Sequence, residues 1–208
     1  MNTQNNNHNK KERLIDSAAM LFHRNGLVVT SLADIAKNAD IPIGNVYYYF
    51  KTKDELALAA INKRREEFAN LYRFFSENIA NPRERLVEAV RYYGNSGDDY
   101  ARYGCPIGKI ISDTDPEKDL ISKSAVSVFA DFIAWAVAQF EQLGYEKAEA
   151  SHYAISLVAG IQGAIIMAKT FQTPQIIADE SVRLIEWLSS IPNRKIQLGK
   201  VGQVLCSV

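Results

Sequence analysis

The residues best suited to chemistry on a partner molecule lie in one short segment, residues 43–53. The segment offers a bare glycine, an asparagine amide, phenols and cations, namely Gly44, Asn45, Tyr47, Tyr48, Tyr49, Lys51 and Lys53. An amide can bond the edge of a base, whereas phenols and ammonium groups contact sugars and phosphates. Because glycine lacks a side chain, its backbone can approach a partner closely. The set predicts a surface that binds DNA, with Ile43 as an apolar neighbour.

Some of these aromatic residues could instead belong to a protein core. Val46 and Phe50 are four residues apart and share one helix face, which we expect to be buried. Three residues are expected to contact DNA rather than to pack: Asn45, Tyr47 and Lys53. For Tyr48, contact and packing stay equally open.

Two short helices joined by a tight turn must position this segment. Thr30 and Ser31 both offer an N-cap for the first helix, and Asp34, three residues after Ser31, can complete a capping box. Asp40 tolerates the left-handed backbone of a sharp turn, and Pro42 presets φ for the next helix, residues 43–49. This is the pattern of a helix-turn-helix, whose second helix enters the major groove.

The rest of the chain is predicted to be helical, which gives an all-α fold class. A first helix covers residues 10–24 and ends at Asn25-Gly26, and a long one runs from Thr52 toward Ile79. Further helical patterns follow at residues 83–93, 116–143, 146–171 and 174–190. We expect a disordered arm at residues 1–9, a DNA-binding domain at 10–55, a larger helical domain at 56–191 and a tail at 192–208.

Charge is distributed unevenly, although the chain carries 24 basic and 24 acidic residues in total. Residues 1–65 hold ten Lys/Arg against six Asp/Glu, so the remainder holds fourteen against eighteen. The positive part of the chain is therefore the part with the helix-turn-helix pattern.

Other function classes find little support. Two cysteines and a polar N-terminus argue against a secreted disulfide framework and favour the reducing cytoplasm. The apolar run at residues 154–168 is interrupted by polar residues and glycines, so we expect no membrane span. The three histidines are scattered, and the sequence predicts no metal site, no cofactor and no catalysis.

Residues 30–56, TSLADIAKNADIPIGNVYYYFKTKDEL, closely resemble the DNA-binding signature of the TetR/AcrR family of regulators. The resemblance implies three N-terminal helices that bind an operator, followed by a helical domain for ligand binding and dimerisation. Carried onto this sequence, it assigns Thr30 and Ser31 to phosphate contacts, residues 43–45 and Tyr47 to the groove, and Tyr49 and Lys53 to the DNA backbone.

The sequence departs from the family pattern at three positions. Asp40 stands where the family usually has glycine, Tyr49 where histidine is common, and Pro42 where a capping serine is frequent. The departures loosen the residue-level transfer without breaking the resemblance.

The stretch YGCPIGKIISD, residues 103–113, is similar to the LmrA/YxaF type of these regulators, whose members respond to small aromatic or drug-like compounds. Cys105 within it is either a buried small residue or a thiol sensor. A cavity is implied among the aromatic residues of the second domain, most of which could equally be core. The candidate ligand-binding residues are Tyr103, Phe129, Phe132 and Trp135.

The last two helices each carry an apolar stripe that could form half of a four-helix dimer interface. The alternative is a core within one protomer. The candidate interface residues are Tyr153, Leu157, Gly160, Ile161, Ala164, Ile165, Ala168, Leu184 and Leu188.

The combined expectation is a homodimer that binds double-stranded operator DNA and loses affinity when a small-molecule inducer displaces the long connecting helix. The rival interpretation is a helical interaction module whose helix-turn-helix no longer reads DNA.

Overall fold

The computed structural model describes residues 3–115 and 119–194. Within these ranges the chain forms ten α-helices and no strand, which confirms the all-α prediction. The helices are α1 (Thr3–Asn25), α2 (Leu32–Asn38), α3 (Ile43–Tyr49), α4 (Lys53–Asn78), α5 (Pro82–Gly94), α6 (Gly97–Tyr103), α7 (Pro106–Ser112), α8 (Leu120–Gln142), α9 (Lys147–Phe171) and α10 (Gln175–Ser190).

The N-terminal segment differs from the prediction, and most of the C-terminal tail cannot be compared with it. Helix α1 begins at Thr3, inside the segment for which we expected disorder. Buried Leu14, Ala18 and Phe22 anchor this helix further along, and each residue added to a nucleated helix brings one backbone hydrogen bond at little entropic cost. Residues 195–208, most of the expected tail, lie outside the described residues.

The chain divides into two compact units, and both are discontinuous in sequence. The first contains residues up to Ala69 together with Tyr103–Phe129. The second contains Asn70–Arg102 and the described residues from Ala130 onward. The sequence pattern predicted that the DNA-binding domain ends at residue 55 and the larger helical domain begins at residue 56. The two units divide instead inside α4 and α8, continuous helices that each contribute to both units.

The first unit has a core built by helices α1 to α3 and by parts of three later helices. Leu14, Ile35 and Val46 come from α1, α2 and α3, and Leu56 comes from the start of α4. Helix α7 and the first turns of α8 add the remaining buried side chains, Ile107, Ile110, Ile121, Ala125 and Val128. The DNA-binding helices are thus completed by α7 and the start of α8, a segment that follows them in the chain by about fifty residues and contains about five turns of helix.

The second unit is organised around α10, which packs against both α9 and α5. Gly160 allows close approach, because a Cβ at this position would lie 3.1 Å from Leu184 Cδ2. The Arg83 guanidinium donates to the Leu188 carbonyl and so ties the start of α5 to the end of α10.

Helices α8 and α9 are long and apolar enough to cross a membrane by length and composition, although we expected no such stretch. In their most apolar windows, 33% and 39% of the residues are buried within the protein. Core helices of soluble proteins meet the same criterion, so these two helices are weak grounds for a membrane protein.

Candidate DNA-binding site

Helix α3 buries one face and exposes the other. Val46 is fully buried and Phe50, just after the helix, is 5% exposed, which confirms the predicted inward pair. Tyr48, for which contact and packing were open, is 72% exposed and does not pack in the core. The outward face consists of Ile43, Gly44, Asn45, Tyr47 and Tyr48.

Gly44 and Tyr49 differ most in how far they are open to a partner molecule. Outside its own helix backbone and its chain neighbours, no atom of the described residues lies within 4 Å of the place where a Cβ on Gly44 would stand, so the backbone there is open to close approach. Tyr49 is half-buried and packs against the core, while its ring meets Tyr48 edge-on at a centroid distance of 4.9 Å. Only the exposed part of Tyr49 is therefore available for the backbone contact that the resemblance assigns to it.

The turn between α2 and α3 is held from α1 by Arg13, a residue that the sequence analysis missed. Its guanidinium donates to the carbonyls of Ala39 and Asp40, the latter at 3.2 Å, and pairs with the Asp40 carboxylate at 3.5 Å. Asp40 has φ +52°, which confirms the left-handed turn. An arginine one helix away has no signature in the helix-turn-helix pattern itself.

The start of α2 has the predicted capping box. The Ser31 hydroxyl accepts from the Asp34 N–H at 3.2 Å, and the Asp34 carboxylate accepts from the Ser31 N–H at 2.9 Å and from its hydroxyl at 2.6 Å. Hydrogen bonds from the Ser31 side chain and backbone lower the pKa of Asp34. Ser31 stays exposed at the surface.

Thr30 requires a correction. We predicted that it contacts phosphate, but its side chain is buried and its hydroxyl donates to the Gly26 carbonyl at 2.7 Å. A buried hydroxyl that already has a partner gains nothing by moving to the surface. Thr30 therefore fixes the chain before α2 instead of facing DNA.

The two lysines after α3 both donate to backbone carbonyls. Lys51 Nζ lies 2.5 Å from the Tyr47 carbonyl, at the end of α3. Lys53 Nζ donates to the carbonyls of Leu27 at 2.9 Å and Val28 at 3.2 Å, across 26 residues of sequence. Lys53, predicted to clamp the DNA backbone, thus binds the protein's own backbone in this structure.

Comparison with known families decides the class of protein to which this surface belongs. Residues 14–60 match the family model for bacterial regulatory proteins of the tetR family. Residues 86–179 match the C-terminal domain of LmrA/YxaF-like transcriptional regulators. The chain belongs to the TetR family of transcriptional regulators. Its helix-turn-helix is therefore that of a DNA-binding regulator, as the resemblance predicted.

Individual regulators are similar to this chain along most of its length. It is 22% identical to an uncharacterised HTH-type transcriptional regulator of Bacillus subtilis, YxaF, over 84% of this chain and 94% of the relative. A TetR transcriptional regulator from Legionella pneumophila has the same fold, with a TM-score of 0.77, 21% identity and coverage of 85% and 95%. FadR from Bacillus subtilis, solved with stearoyl-CoA, gives a TM-score of 0.70, 16% identity and coverage of 86% and 97%. These proteins are regulators and not enzymes.

The residues predicted to bind ligand in this TetR-family regulator fall into both units. Tyr103 and Phe129 belong to the first unit, where Tyr103 contacts the His23 ring edge-on at 5.6 Å and Phe129 packs on the core. Phe132 and Trp135 belong to the second, with ring centroids 6.2 Å apart. The structure therefore brings together two of the four residues.

Phe132 and Trp135 are part of a larger aromatic cluster of the second unit. Tyr72 stacks on both rings, at 5.1 Å and 4.8 Å, and its hydroxyl lies 3.0 Å from that of Tyr93. Burial raises the pKa of Tyr72 far above its ordinary value of 10.0. Trp135 Nε1 donates to the Ser76 hydroxyl at 3.1 Å. The cluster combines apolar ring faces with a few polar tips.

The predicted dimer residues need a second correction. Most of them are buried within the protomer, where α9 and α10 face each other and the rest of the second unit: Leu157, Ile161, Ala164, Ile165, Ala168, Leu184 and Leu188. Tyr153 and Gly160 are half-buried. The stripe that periodicity identified is thus the core face of these helices.

A different apolar face of the same two helices is exposed. We call it the outer face, and it consists of Ile155, Ile166, Met167, Phe171 and Val182. A groove of about 530 Å³ runs between α9 and α10 and is lined by Gly163 and Met167 on one side and by Ile176 and Arg183 on the other. A Cβ on Gly163 would meet no atom within 4 Å, so small residues keep this groove open.

Proposed function

We propose that this TetR-family regulator is a cytoplasmic repressor, and that a small, largely apolar or aromatic inducer releases it from its operator. The observation that carries the proposal is the exposed face of α3, which stands on the buried anchors Val46 and Phe50. A short helix anchored on one side and open on the other is the form in which a recognition helix enters the major groove.

Each exposed residue of α3 supplies a different part of the DNA contact. Asn45 offers both a donor and an acceptor to a base edge, and Ile43 offers an apolar contact to a thymine methyl. Gly44 lets the backbone approach, while Tyr47 and Tyr48 reach bases, sugars and phosphates with their phenols. Ser31 and the exposed part of Tyr49 are proposed to contact the DNA backbone beside the groove.

The outer face supports a homodimer. Ile166, Phe171 and Val182 are each more than half exposed on the side of α9 and α10 that faces away from the core, and an apolar surface of this kind commonly marks a protein interaction site. A two-fold partner would cover them with the same residues of its own chain. The dimer would present two copies of α3 to half-sites about 34 Å apart, one turn of DNA.

The aromatic cluster supports a site for an apolar or aromatic inducer. Ring faces give such a ligand most of its contact area, and the Tyr72 and Tyr93 hydroxyls give it a polar anchor. FadR, a neighbour of the same fold, was solved with stearoyl-CoA, a ligand with a long apolar chain. We propose the same broad class of ligand here, with Phe132 and Trp135 in contact with it and Tyr103 and Phe129 as further candidates.

Helix α4 supports a route from inducer to operator. Leu56 and Ile61 of this helix are buried in the core of the first unit. Tyr72 of the same helix stacks in the aromatic cluster of the second unit. A ligand that rearranges the cluster would displace one end of α4 and so disturb the other. Release then requires that the ligand bind the low-affinity shape more tightly.

The test is operator release in the Trp187→Phe variant, in which Trp135 is the remaining tryptophan. An operator duplex is first selected from random sequences. The probes are the aromatic dye 8-anilinonaphthalene-1-sulfonate and stearoyl-CoA, each followed by Trp135 fluorescence and by operator affinity. We expect a probe that quenches Trp135 to weaken operator binding by about 5-fold to 150-fold, the usual range of allosteric coupling. A probe that saturates the Trp135 signal and leaves operator affinity unchanged would contradict release.

A further inference from the structure

The turn after α1 is held at one residue, Leu27, by hydrogen bonds to its backbone N–H and to its carbonyl. The Leu27 N–H donates to the Asp113 carboxylate at 2.8 Å, and the Leu27 carbonyl accepts from Lys53 Nζ at 2.9 Å. Asp113 follows α7 and Lys53 begins α4, so the two groups come from distant parts of the sequence within the first unit. We call Leu27, Lys53 and Asp113 the Leu27 clamp.

Gly26 is the residue that makes room for the clamp. Its φ is +102°, a conformation that side chains disfavour. A Cβ on Gly26 would lie 2.8 Å from an Asp113 carboxylate oxygen and 3.2 Å from Lys109 Cε. Glycine is therefore required here both by the backbone and by the closeness of α7.

Two further bonds tie the same part of α1 to the segment around α7. Lys109 Nζ donates to the Arg24 carbonyl at 3.3 Å, and His23 Nε2 lies 2.7 Å from the Gly104 carbonyl. The end of α1 is thus fixed to the α7 segment at several points. The Leu27 clamp is the point nearest to the helix-turn-helix.

The clamp fixes the path by which the chain enters α2. Thr30 donates to the Gly26 carbonyl, so the turn closes on itself, and Ser31 begins the capping box of α2 directly afterwards. Val28 and Val29 between them are largely exposed and contribute little burial of their own. The Leu27 side chain is buried in the core of the first unit and anchors the turn. The hydrogen bonds to Lys53 and Asp113 then fix the orientation of the Leu27 backbone, and with it the direction in which the exposed residues lead into α2.

We propose that Lys53 and Asp113 are positioning residues for operator binding, which act through the turn at Leu27 and not by touching DNA. The proposal rests on the operator binding proposed above. It assigns Lys53 a different role from the phosphate contact that the family resemblance implies. It also gives an acidic residue, which by charge alone would oppose DNA binding, a part in promoting it.

The salt dependence of operator affinity separates the two roles of Lys53. Loss of a lysine that binds phosphate lowers the slope of log affinity against log salt concentration by about one. For Lys53→Met we expect affinity to fall roughly tenfold, the effect of losing a charge-assisted hydrogen bond, with an unchanged slope. Lys147→Met removes a lysine from the second unit and is expected to change neither quantity. A Lys53→Met slope lower by about one would overturn the assignment.

For Asp113 the two possible effects have opposite signs. Removing a negative charge strengthens attraction to DNA, whereas losing the acceptor for Leu27 frees the turn. We expect Asp113→Ala to bind the operator several-fold more weakly than the unmodified protein does. Asp113→Asn keeps an acceptor oxygen and is expected to bind at least as tightly as the unmodified protein. Equal or tighter operator binding by Asp113→Ala would overturn the proposal.

Hydrogen exchange at the Leu27 amide provides a readout that does not involve DNA. We expect faster exchange in Asp113→Ala, near-normal exchange in Asp113→Asn and an unchanged melting profile in both. Unchanged exchange in Asp113→Ala would show that the clamp does not hold the turn. If the unmodified protein selects no operator, the proposed function itself fails. If it selects an operator and both Lys53→Met and Asp113→Ala bind that operator with unchanged affinity, only this inference fails.

Discussion

Replacing Gly44 with alanine should make the protein more stable and a weaker DNA binder. The new methyl group meets no protein atom within 4 Å, so it adds no strain. Alanine is favoured over glycine in helices by about 0.5–1 kcal/mol, with the lower value expected near a helix end. For a chain of this size that gain corresponds to a rise in Tm of about 1–4 °C.

The same methyl group would occupy the space that we assign to DNA. If it displaces one base contact, the loss is about 1–3 kcal/mol, or roughly 5-fold to 150-fold in affinity. The assay is fluorescence anisotropy with the selected operator duplex, beside thermal unfolding by circular dichroism. Because the variant is expected to be more stable, misfolding cannot explain weaker binding. A variant with raised Tm and unchanged operator affinity would refute the close approach at Gly44.

Three further outcomes are expected. Ile165→Ala should cost about 2–4 kcal/mol of stability because Ile165 is buried. Ile166→Glu on the outer face should instead leave helicity intact and yield monomers in analytical ultracentrifugation; a dimeric Ile166→Glu protein would exclude the outer face as the dimer interface. Arg13→Ala should lower the free energy of unfolding by about 1 kcal/mol, as expected for a half-exposed charged hydrogen-bond donor, and should weaken operator binding. Unchanged melting and binding would show that Arg13 does not hold the turn. Because the pKa of Tyr72 is higher in the folded protein than in the unfolded chain, the folded state keeps its proton longer and stability should fall as pH rises above about 10; Tyr72→Phe should show a shallower fall in Tm between pH 9 and 11, and an equal fall would contradict the raised pKa.

Local sequence patterns predicted the helix-turn-helix well because its determinants are local. The capping box needs only Ser31 and Asp34, and the turn needs only a residue such as Asp40 that tolerates positive φ. The inward pair Val46 and Phe50 follows from helical spacing alone. These features require no knowledge of distant parts of the chain.

Long-range partners were beyond such patterns. A lysine in the sequence shows its charge but not that Lys53 reaches a carbonyl 26 residues earlier. Likewise, a threonine before a helix could face solvent or, as Thr30 does, close a turn in the interior. The contribution of α7 to the first unit is also a tertiary effect, since its core residues follow the helix-turn-helix by more than fifty positions.

The stripe predicted to form the dimer interface is the core face of α9 and α10, for a different reason. Helix α9 carries apolar residues on more than one face, with Ile165 buried and Ile166 63% exposed beside it. Periodicity finds apolar faces but cannot say which one meets the protein's own core and which one meets a partner. Only the packing of α10 against α9 and α5 identifies the core face.

Selection of random duplexes tests most directly whether α3 reads DNA. The purified protein is compared with Asn45→Ala and Tyr47→Ala at two salt concentrations, after melting curves have shown that all three are folded. We predict that the unmodified protein enriches a palindromic motif with two half-sites and that both variants lose it. Binding without an enriched motif that disappears in modest salt would reflect phosphate attraction alone and would contradict the recognition role of α3.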